Sequence, residues 1–404
     1  MKTSATPPPE RADAPLPLGA LLALAMTGFI CIVTETLPAG LLPQMAAGLG
    51  ISQSLAGQSV TAYALGSLLA AIPLTIATQR WRRRNVLLLT ILGFLVLNSI
   101  TAWSTHYGAT LVARFLAGVA AGLAWSLLAG YARRMVAVRQ QGKAMAVAML
   151  GTPIALSLGV PLGTWLGAAI GWRWAFAAMS GLTVVLVVWV LAKVPDYPGQ
   201  ARAERLSLAK VFVGPGVRPV LAVVVAWMLA HNILYTYVAP FVARAGLATH
   251  VDVILLIFGL AALVAIAFTG RLVDHHLRTL VLGSLALFAV VSLLFVWVGR
   301  VPAAIYIGVA VWGITFGGAA TLLQTALADT AGEGADVALS MNVVAWNSAI
   351  AGGGLLGGLL LKTWGAAAFP PAMLMLLVAG WCIAWSARAH GFRAGARAVH
   401  AAGH

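Results

Sequence analysis

Charge is what this sequence has least of. Only 9% of its 404 residues are Asp, Glu, Lys or Arg, and just 10 of those are acidic. A soluble domain is about a quarter charged, so an ordinary water-facing surface is excluded. There are two cysteines, Cys31 and Cys382, both inside apolar runs, so no disulfide framework is implied. The sequence contains no HExxH, no GxSxG and no GxxxxGK[ST]. Those absences argue against a zinc hydrolase, a serine hydrolase and an ATP-driven pump. No metal and no cofactor is expected.

What the chain has in abundance is apolar residues, 61% of the total. A bilayer core takes about 20 apolar residues per helix. Runs of that length lie near 18–42, 54–78, 85–104, 109–132, 144–167, 173–193, 218–243, 252–272, 279–298, 302–327, 337–361 and 367–387. The fold class this implies is an all-α membrane protein with twelve transmembrane helices, since backbone polar groups in lipid must be satisfied within the segment. Residues 1–17 are rich in proline and polar side chains and read as a disordered tail. No short apolar stretch with a small-residue cleavage site precedes the first run, so that run is expected to stay as a helix.

The formal net charge is +15. In a soluble protein that excess would suggest nucleic acid, but here the basic residues sit in short clusters between apolar runs. Arg80, Arg82, Arg83 and Arg84 follow the second run; Arg133, Arg134, Arg139 and Lys143 follow the fourth. Lys193, Arg202, Arg205, Lys210 and Arg218 lie between the sixth and seventh, and Arg271 and Arg278 after the eighth. The tails add Lys2, Arg11, Arg388, Arg393 and Arg397. The other connections hold only Arg173, Arg244, Arg300 and Lys362. By the positive-inside rule the termini and the even-numbered loops are expected in the cytoplasm. The loop with Asp329, Glu333 and Asp336 has no basic residue, but acids weigh little in that rule.

The longest polar connector, 195–217, divides the chain into an N-terminal bundle at 18–194 and a C-terminal bundle at 218–388, with a cytoplasmic tail at 389–404. Residues 205–212 within the connector suggest a short surface helix. The halves echo each other: Gln79-Arg80 and Asp274-His275 are 195 positions apart, Glu35 and His231 196. Parallel repeats around a central site are a transporter plan.

Several loops and spans then resemble the major facilitator superfamily over nearly the whole chain. Gly270-Arg-Leu-Val-Asp274-His-His-Leu-Arg278 is similar to its signature loop. Thr75-Ile-Ala-Thr-Gln79-Arg80-Trp81-Arg82-Arg83-Arg84 resembles a degenerate first-half copy, with Thr75 for the usual glycine and Gln79 for the usual aspartate. Arg114-Phe-Leu-Ala-Gly118 resembles the arginine motif of proton-coupled members. Gly159-Val-Pro161-Leu-Gly163 with Gly167 resembles the antiporter motif of the fifth span. Together they imply the twelve-span drug:proton antiporter branch. Around Glu35-Thr-Leu-Pro38 and His231-Asn-Ile-Leu-Tyr235-Thr-Tyr237 the chain is similar to sugar and purine-nucleoside efflux permeases.

Ionisable groups inside a bilayer cost roughly 2.5–3.5 kcal/mol each. Three lie well inside spans: Glu35, Arg114 and His231. Glu35 is the only carboxylate so placed. Burial favours its neutral form and a nearby cation its charged form, so it is a candidate proton carrier; a carboxylate permanently locked to a polar neighbour is the alternative. Arg114 lies at a similar depth, which predicts an ion pair or a water-mediated contact with Glu35; a snorkelling arginine is the alternative. His231 is a candidate for proton exchange or for substrate binding, or is a satisfied interhelical histidine. Tyr235 shares its face one turn on, whereas Tyr237 points elsewhere.

Trp125, Gln324, Asn342 and Asn347 are further substrate-binding candidates, with interhelical hydrogen bonding as the equal alternative for the amides. Glycines 352, 353, 354, 357 and 358 allow close helix packing. Gly270, Asp274, Arg278 and Arg80 are candidate gate residues. Asp274 could cap the positive end of the eleventh helix or pair with Arg278.

The expected function is proton-coupled efflux of a small neutral or weakly charged molecule such as a sugar, nucleoside or drug. The partners are that substrate, protons and the lipid bilayer, with no nucleic acid, and the chain is read as a monomer. Proton-coupled import or facilitated diffusion is the alternative within transport. A passive channel or receptor is the alternative outside it.

Overall fold

The structure is a computed structural model that describes residues 15–137, 140–199 and 208–393. Lys2, Arg11, Arg139, Arg202, Arg205 and Arg397, and with them most of both tails and residues 200–207 of the connector, lie outside the described residues. Of the surface helix expected at 205–212, Leu208–Phe212 is described and is helical.

Six helices form the first half: α1 Leu18–Gly40, α2 Gln53–Ala77, α3 Arg83–Trp103, α4 Tyr107–Arg134, α5 Gln141–Ile170 and α6 Trp172–Lys193. The second half opens with α7 Val217–Thr236. Next comes a 48-residue stretch, Val251–Val298, interrupted at His276, whose φ of −130° is not helical. Phe258 and Phe288 lie on either side of that break, and both rings meet Trp312, at 4.4 and 6.2 Å. Thirty residues of unbroken helix would hold them about 45 Å apart at 1.5 Å per residue. The chain therefore doubles back, giving α8 (251–275) and α9 (277–298). After α10 Pro302–Gly334, α11 Ala335–Trp364 and α12 Ala366–Ser386, there are twelve crossings from eleven long apolar helices among the described residues.

Proline shapes the start. Pro38 lies inside α1, and the break falls after it at Leu41, whose N–H bonds both Leu37 and Pro38 carbonyls. Pro43 then sits in the first turn of a short helix, Leu42–Leu49, where its missing N–H costs nothing. The interruption thus lies between the two prolines.

The halves repeat one packing scheme. In the first, α2 lies so close to α4 that a Cβ on Gly118 would fall 1.9 Å from the Tyr63 carbonyl oxygen. In the second, α8 meets α10 the same way at Gly317, where a Cβ would fall 2.3 Å from the Ala262 carbonyl. Small residues let membrane helices touch backbone to backbone. The halves meet through α2 with α11 and through α5 with α8.

The first and last of the described residues share one face with Arg83, Lys193 and Arg278, here termed the terminal face. Trp103, Trp174, Trp297 and Trp364 are exposed at the opposite, distal end. Such a girdle fits the headgroup boundary, where amphipathic rings collect.

Candidate functional site

Glu35 lies on α1 and is only 8% exposed; Arg114 on α4 is fully buried. The ion pair expected between them is not formed. Arg114 Nη2 donates to the main-chain carbonyl of Glu35 at 3.2 Å, and Nε to that of Ser59 at 3.5 Å. Its guanidinium lies 4.9 Å from the Tyr63 ring and 5.8 Å from Phe176. Two aromatic walls and two carbonyls fix the cation and direct it at the backbone rather than the carboxylate. Nη1 has no partner among the described residues. The one ion pair seen among the described residues is elsewhere, Arg82 with Asp196.

Across the interface, α7 presents His231 and Tyr235. Their rings stack at 5.2 Å, as the one-turn spacing predicted. The Tyr235 hydroxyl comes up beside Thr36 and Glu35 of α1 but falls short of a well-formed hydrogen bond. Phe316 lies flat on His231, with centroids 3.5 Å apart and planes 4° apart, and Trp312 Nε1 donates to His231 Nδ1 at 3.2 Å. Phe258, Trp312 and Phe316 were not singled out from the sequence. Each is an aromatic in a long apolar run, indistinguishable there from core.

The other candidates are placed less uniformly. Trp125 is half-buried with its indole edge against Gly28 of α1. Asn342 is buried with its Oδ1 unpartnered among the described residues. Asn347 turns its Nδ2 back onto the Val343 carbonyl of its own helix at 2.9 Å. Gln324 is exposed on α10. In α5, Gly159 and Gly163 receive Val33 and Leu37 of α1, and Gly167 receives Leu41 just beyond its end, one per turn, beside the buried Pro161. A π-turn, Ala155–Gly159, precedes Pro161, and its Ser157 is where Gly259 of α8 crosses.

At the terminal face Arg278 donates to the carbonyls of Ala384, Trp385 and Phe392, each at 2.9–3.0 Å. It thereby ties the α8–α9 turn to the end of α12. Asp274 and Gly270 are exposed on α8. In the first half the loop carrying Arg80 is strapped by the segment after α6. Asp196 binds Arg82 and the Arg84 N–H, Tyr131 donates to the Pro195 carbonyl at 2.7 Å, and Arg134 to that of Pro198 at 3.0 Å. Burial of Asp196 works toward its neutral form. Its hydrogen bonds to Arg82 and the Arg84 N–H, with the two positive charges, outweigh that and hold the carboxyl below the usual range.

Tyr237 does point away from His231, and where it points is informative. Its ring is fully buried between Gly57 of α2 and Gly357 of α11. Its hydroxyl donates to the carbonyls of Gly354, at 2.8 Å, and Ser54, at 3.3 Å, and accepts from Gln58 Nε2 at 3.1 Å. Gln58 also donates to the Gly354 carbonyl at 3.2 Å, and Ser54 to that of Gly358 at 2.8 Å. These bonds close the distal end between the halves.

Two bundles joined around buried polar groups, closed at one end, match a known architecture. The Major Facilitator Superfamily model matches residues 24–353. The chain belongs to the major facilitator superfamily. It is 31% identical over 355 residues to the inner membrane transport protein YdhP of Escherichia coli O157:H7, covering 87% of this chain and 91% of that protein. It is 29% identical over 371 residues to the purine ribonucleoside efflux pump NepI of Shigella sonnei, covering 89% and 92%. Among solved structures, the human organic anion transporter MFSD10 (TETRAN) superposes with a TM-score of 0.62 at 18% identity, covering 91% of this chain and 97% of that one. This superfamily member is a multi-pass membrane transporter, not an enzyme, with efflux pumps among its relatives.

Proposed function

We propose that this chain exports a small, polar, uncharged molecule of the sugar or nucleoside kind in exchange for protons, by alternating access. The terminal face, with its basic clusters, is the cytoplasmic one. The distal face is then the outer one, closed in this structure by Tyr237, Gln58 and Ser54. Export rocks one bundle against the other about the α2–α11 and α5–α8 crossings.

The observation that carries the reading is Glu35. It is nearly sealed, it stands where α1 meets α7, and the neighbouring cation takes its backbone instead of its carboxylate. The cost of a lone charge in a dry interior and the pull of a cation act oppositely on its proton. A shift of Arg114 from carbonyl to carboxylate, or of water to either side, tips that balance. The proton is taken up when the distal end is open and released when it is closed. One charge crossing 100 mV supplies about 2.3 kcal/mol, enough to bias the two states roughly fiftyfold.

The test is uptake into inverted vesicles with labelled inosine and arabinose, with and without an imposed proton gradient. Glu35→Gln should abolish accumulation driven by the gradient while leaving exchange of substrate for substrate. Undiminished gradient-driven accumulation in that variant would refute the assignment.

A further inference from the structure

We propose that Trp312 is a positioning residue that fixes His231 as a hydrogen-bond donor through Nε2, so that the central site selects molecules presenting an acceptor. This rests on reading the site around His231 as the substrate site.

An indole N–H can only donate. Trp312 Nε1 points at His231 Nδ1 from 3.2 Å, so Nδ1 offers its lone pair and the ring proton is on Nε2. An imidazolium would set two N–H groups against each other. Trp312 has little freedom to yield. It is fully buried, with Phe258 at 4.4 Å and Phe288 at 6.2 Å. The histidine ring is equally confined, with Phe316 parallel on one face and Tyr235 stacked beside it. One ring nitrogen is left. Nε2 has no hydrogen-bond partner among the described residues, and it is not among the atoms sealed from solvent, as Tyr235 Oη is. The protein therefore presents one oriented N–H at the edge of an aromatic wall.

The groups facing the imidazole from α8 and α10 are Phe258, Trp312 and Phe316, none of which titrates. From its own helix comes Tyr235, and from α1, beyond Thr36, Glu35. His231 is thus a fixed donor, and Glu35 alone carries the proton. A donor with no acceptor opposite it is a penalty, so a ring nitrogen, carbonyl or hydroxyl oxygen is favoured and a cation lacking a lone pair is rejected. A purine ribonucleoside and a pentose both offer such acceptors.

Two measurements on the full-length protein test this. The first is 15N NMR of the ring-labelled protein in nanodiscs, with the His231 signals identified by their loss in His231→Gln. A protonated Nε2 and an unprotonated Nδ1 are expected near neutral pH, and a mixture of both tautomers in Trp312→Phe. A protonated Nδ1 in the wild type, or an unaltered tautomer in Trp312→Phe, overturns the proposal. The second compares two non-titrating substitutions. A glutamine amide nitrogen falls near Nε2 and an asparagine amide nitrogen near Nδ1. Losing one neutral hydrogen bond costs roughly 2- to 13-fold in affinity. His231→Asn and Trp312→Phe should raise KM for inosine within that range, and His231→Gln should recover most of it, with gradient coupling retained in all three. Equal loss of coupling in His231→Gln and His231→Asn would make His231 a proton carrier and sink the proposal. A wild type that moves neither inosine nor arabinose removes the substrate class proposed above, and the NMR tautomer then decides between Trp312 as positioner and Trp312 as plain core.

Discussion

Gly57→Ala should open the distal end of this transporter. Gly57 is inside α2, where alanine is the better helix former by about 1 kcal/mol, so the helix itself gains. Its added Cβ would fall 2.3 Å from Tyr237 Cε1 and 2.4 Å from Cζ and Oη. The ring has nowhere to retreat: Gly357 backs it so closely that a Cβ there would lie 2.7 Å from Cδ2, and the hydroxyl is tied to Gly354 at 2.8 Å. Overpacking of this kind costs roughly 1–3 kcal/mol, and it is incurred only while α2 and Tyr237 are in contact. The cost therefore falls on the distal-closed state alone and shifts the two-state ratio roughly 5- to 150-fold, the Boltzmann factor of that range. The hydrogen bonds between the halves at this end, at about 1 kcal/mol each, are of the same size, so the shift should be measurable without complete opening. Spin labels at Thr105 and Thr249, exposed on distal loops of opposite halves, report the separation by double electron–electron resonance. Cys382 is exposed and would be replaced, whereas Cys31 is buried. A longer-distance population should grow in Gly57→Ala. A distance distribution indistinguishable from the wild type would refute the role given to the Tyr237 slot.

Three further outcomes follow from the same contacts. Gly118→Ala, whose Cβ would meet the Tyr63 carbonyl oxygen at 1.9 Å, should separate α2 from α4 and lower thermal stability by several degrees in size-exclusion or fluorescence melting, backbone having no rotamer with which to yield. Arg114→Lys keeps the charge but not the planar fork that reaches both the Glu35 and Ser59 carbonyls, and should reduce gradient-driven transport roughly 10- to 150-fold, the size of one lost charge-assisted bond, with an unchanged elution profile. Asp196→Asn should lower the melting temperature near neutral pH. The folded carboxyl is held below its ordinary value, so its contribution is fully present above about pH 4 and is lost as the pH falls further. The gap in melting temperature between the wild type and Asp196→Asn should accordingly narrow as the pH is lowered below about 4, and a gap that does not narrow would count against the strap.

Much of the architecture was legible in the chain because the bilayer imposes a length and a polarity on every crossing. The twelve runs, the break into two six-helix halves and the depth of Glu35 and Arg114 follow from residue type and spacing alone. The same local rules put Tyr235 on the face of His231. They were silent on Phe258, Trp312 and Phe316, because an aromatic at an apolar position carries the same signal whether it fills a core or grips a histidine. Matching depth suggested an Arg114–Glu35 ion pair or a water-mediated contact. The structure has instead a guanidinium held by Tyr63 and Phe176 and directed at a carbonyl, which every residue offers and no sequence pattern marks.

By itself, then, the sequence determined how many times the chain crosses lipid, which crossings carry ionisable groups, and that one carboxylate is kept from water, since these depend on composition over about twenty residues. Tertiary structure alone decided that Tyr237 fills a slot walled by glycines of both halves and that Trp312 holds His231 by Nδ1. The partners in those contacts are far apart along the chain: 81 residues for Trp312 and His231, 179 for Gln58 and Tyr237, 304 for Ser54 and Gly358. Helical periodicity relates residues a turn or two apart, and only the packing of helix on helix, within a bundle for Trp312 and His231 and between the bundles for the other two pairs, brings such distant groups within hydrogen-bonding reach.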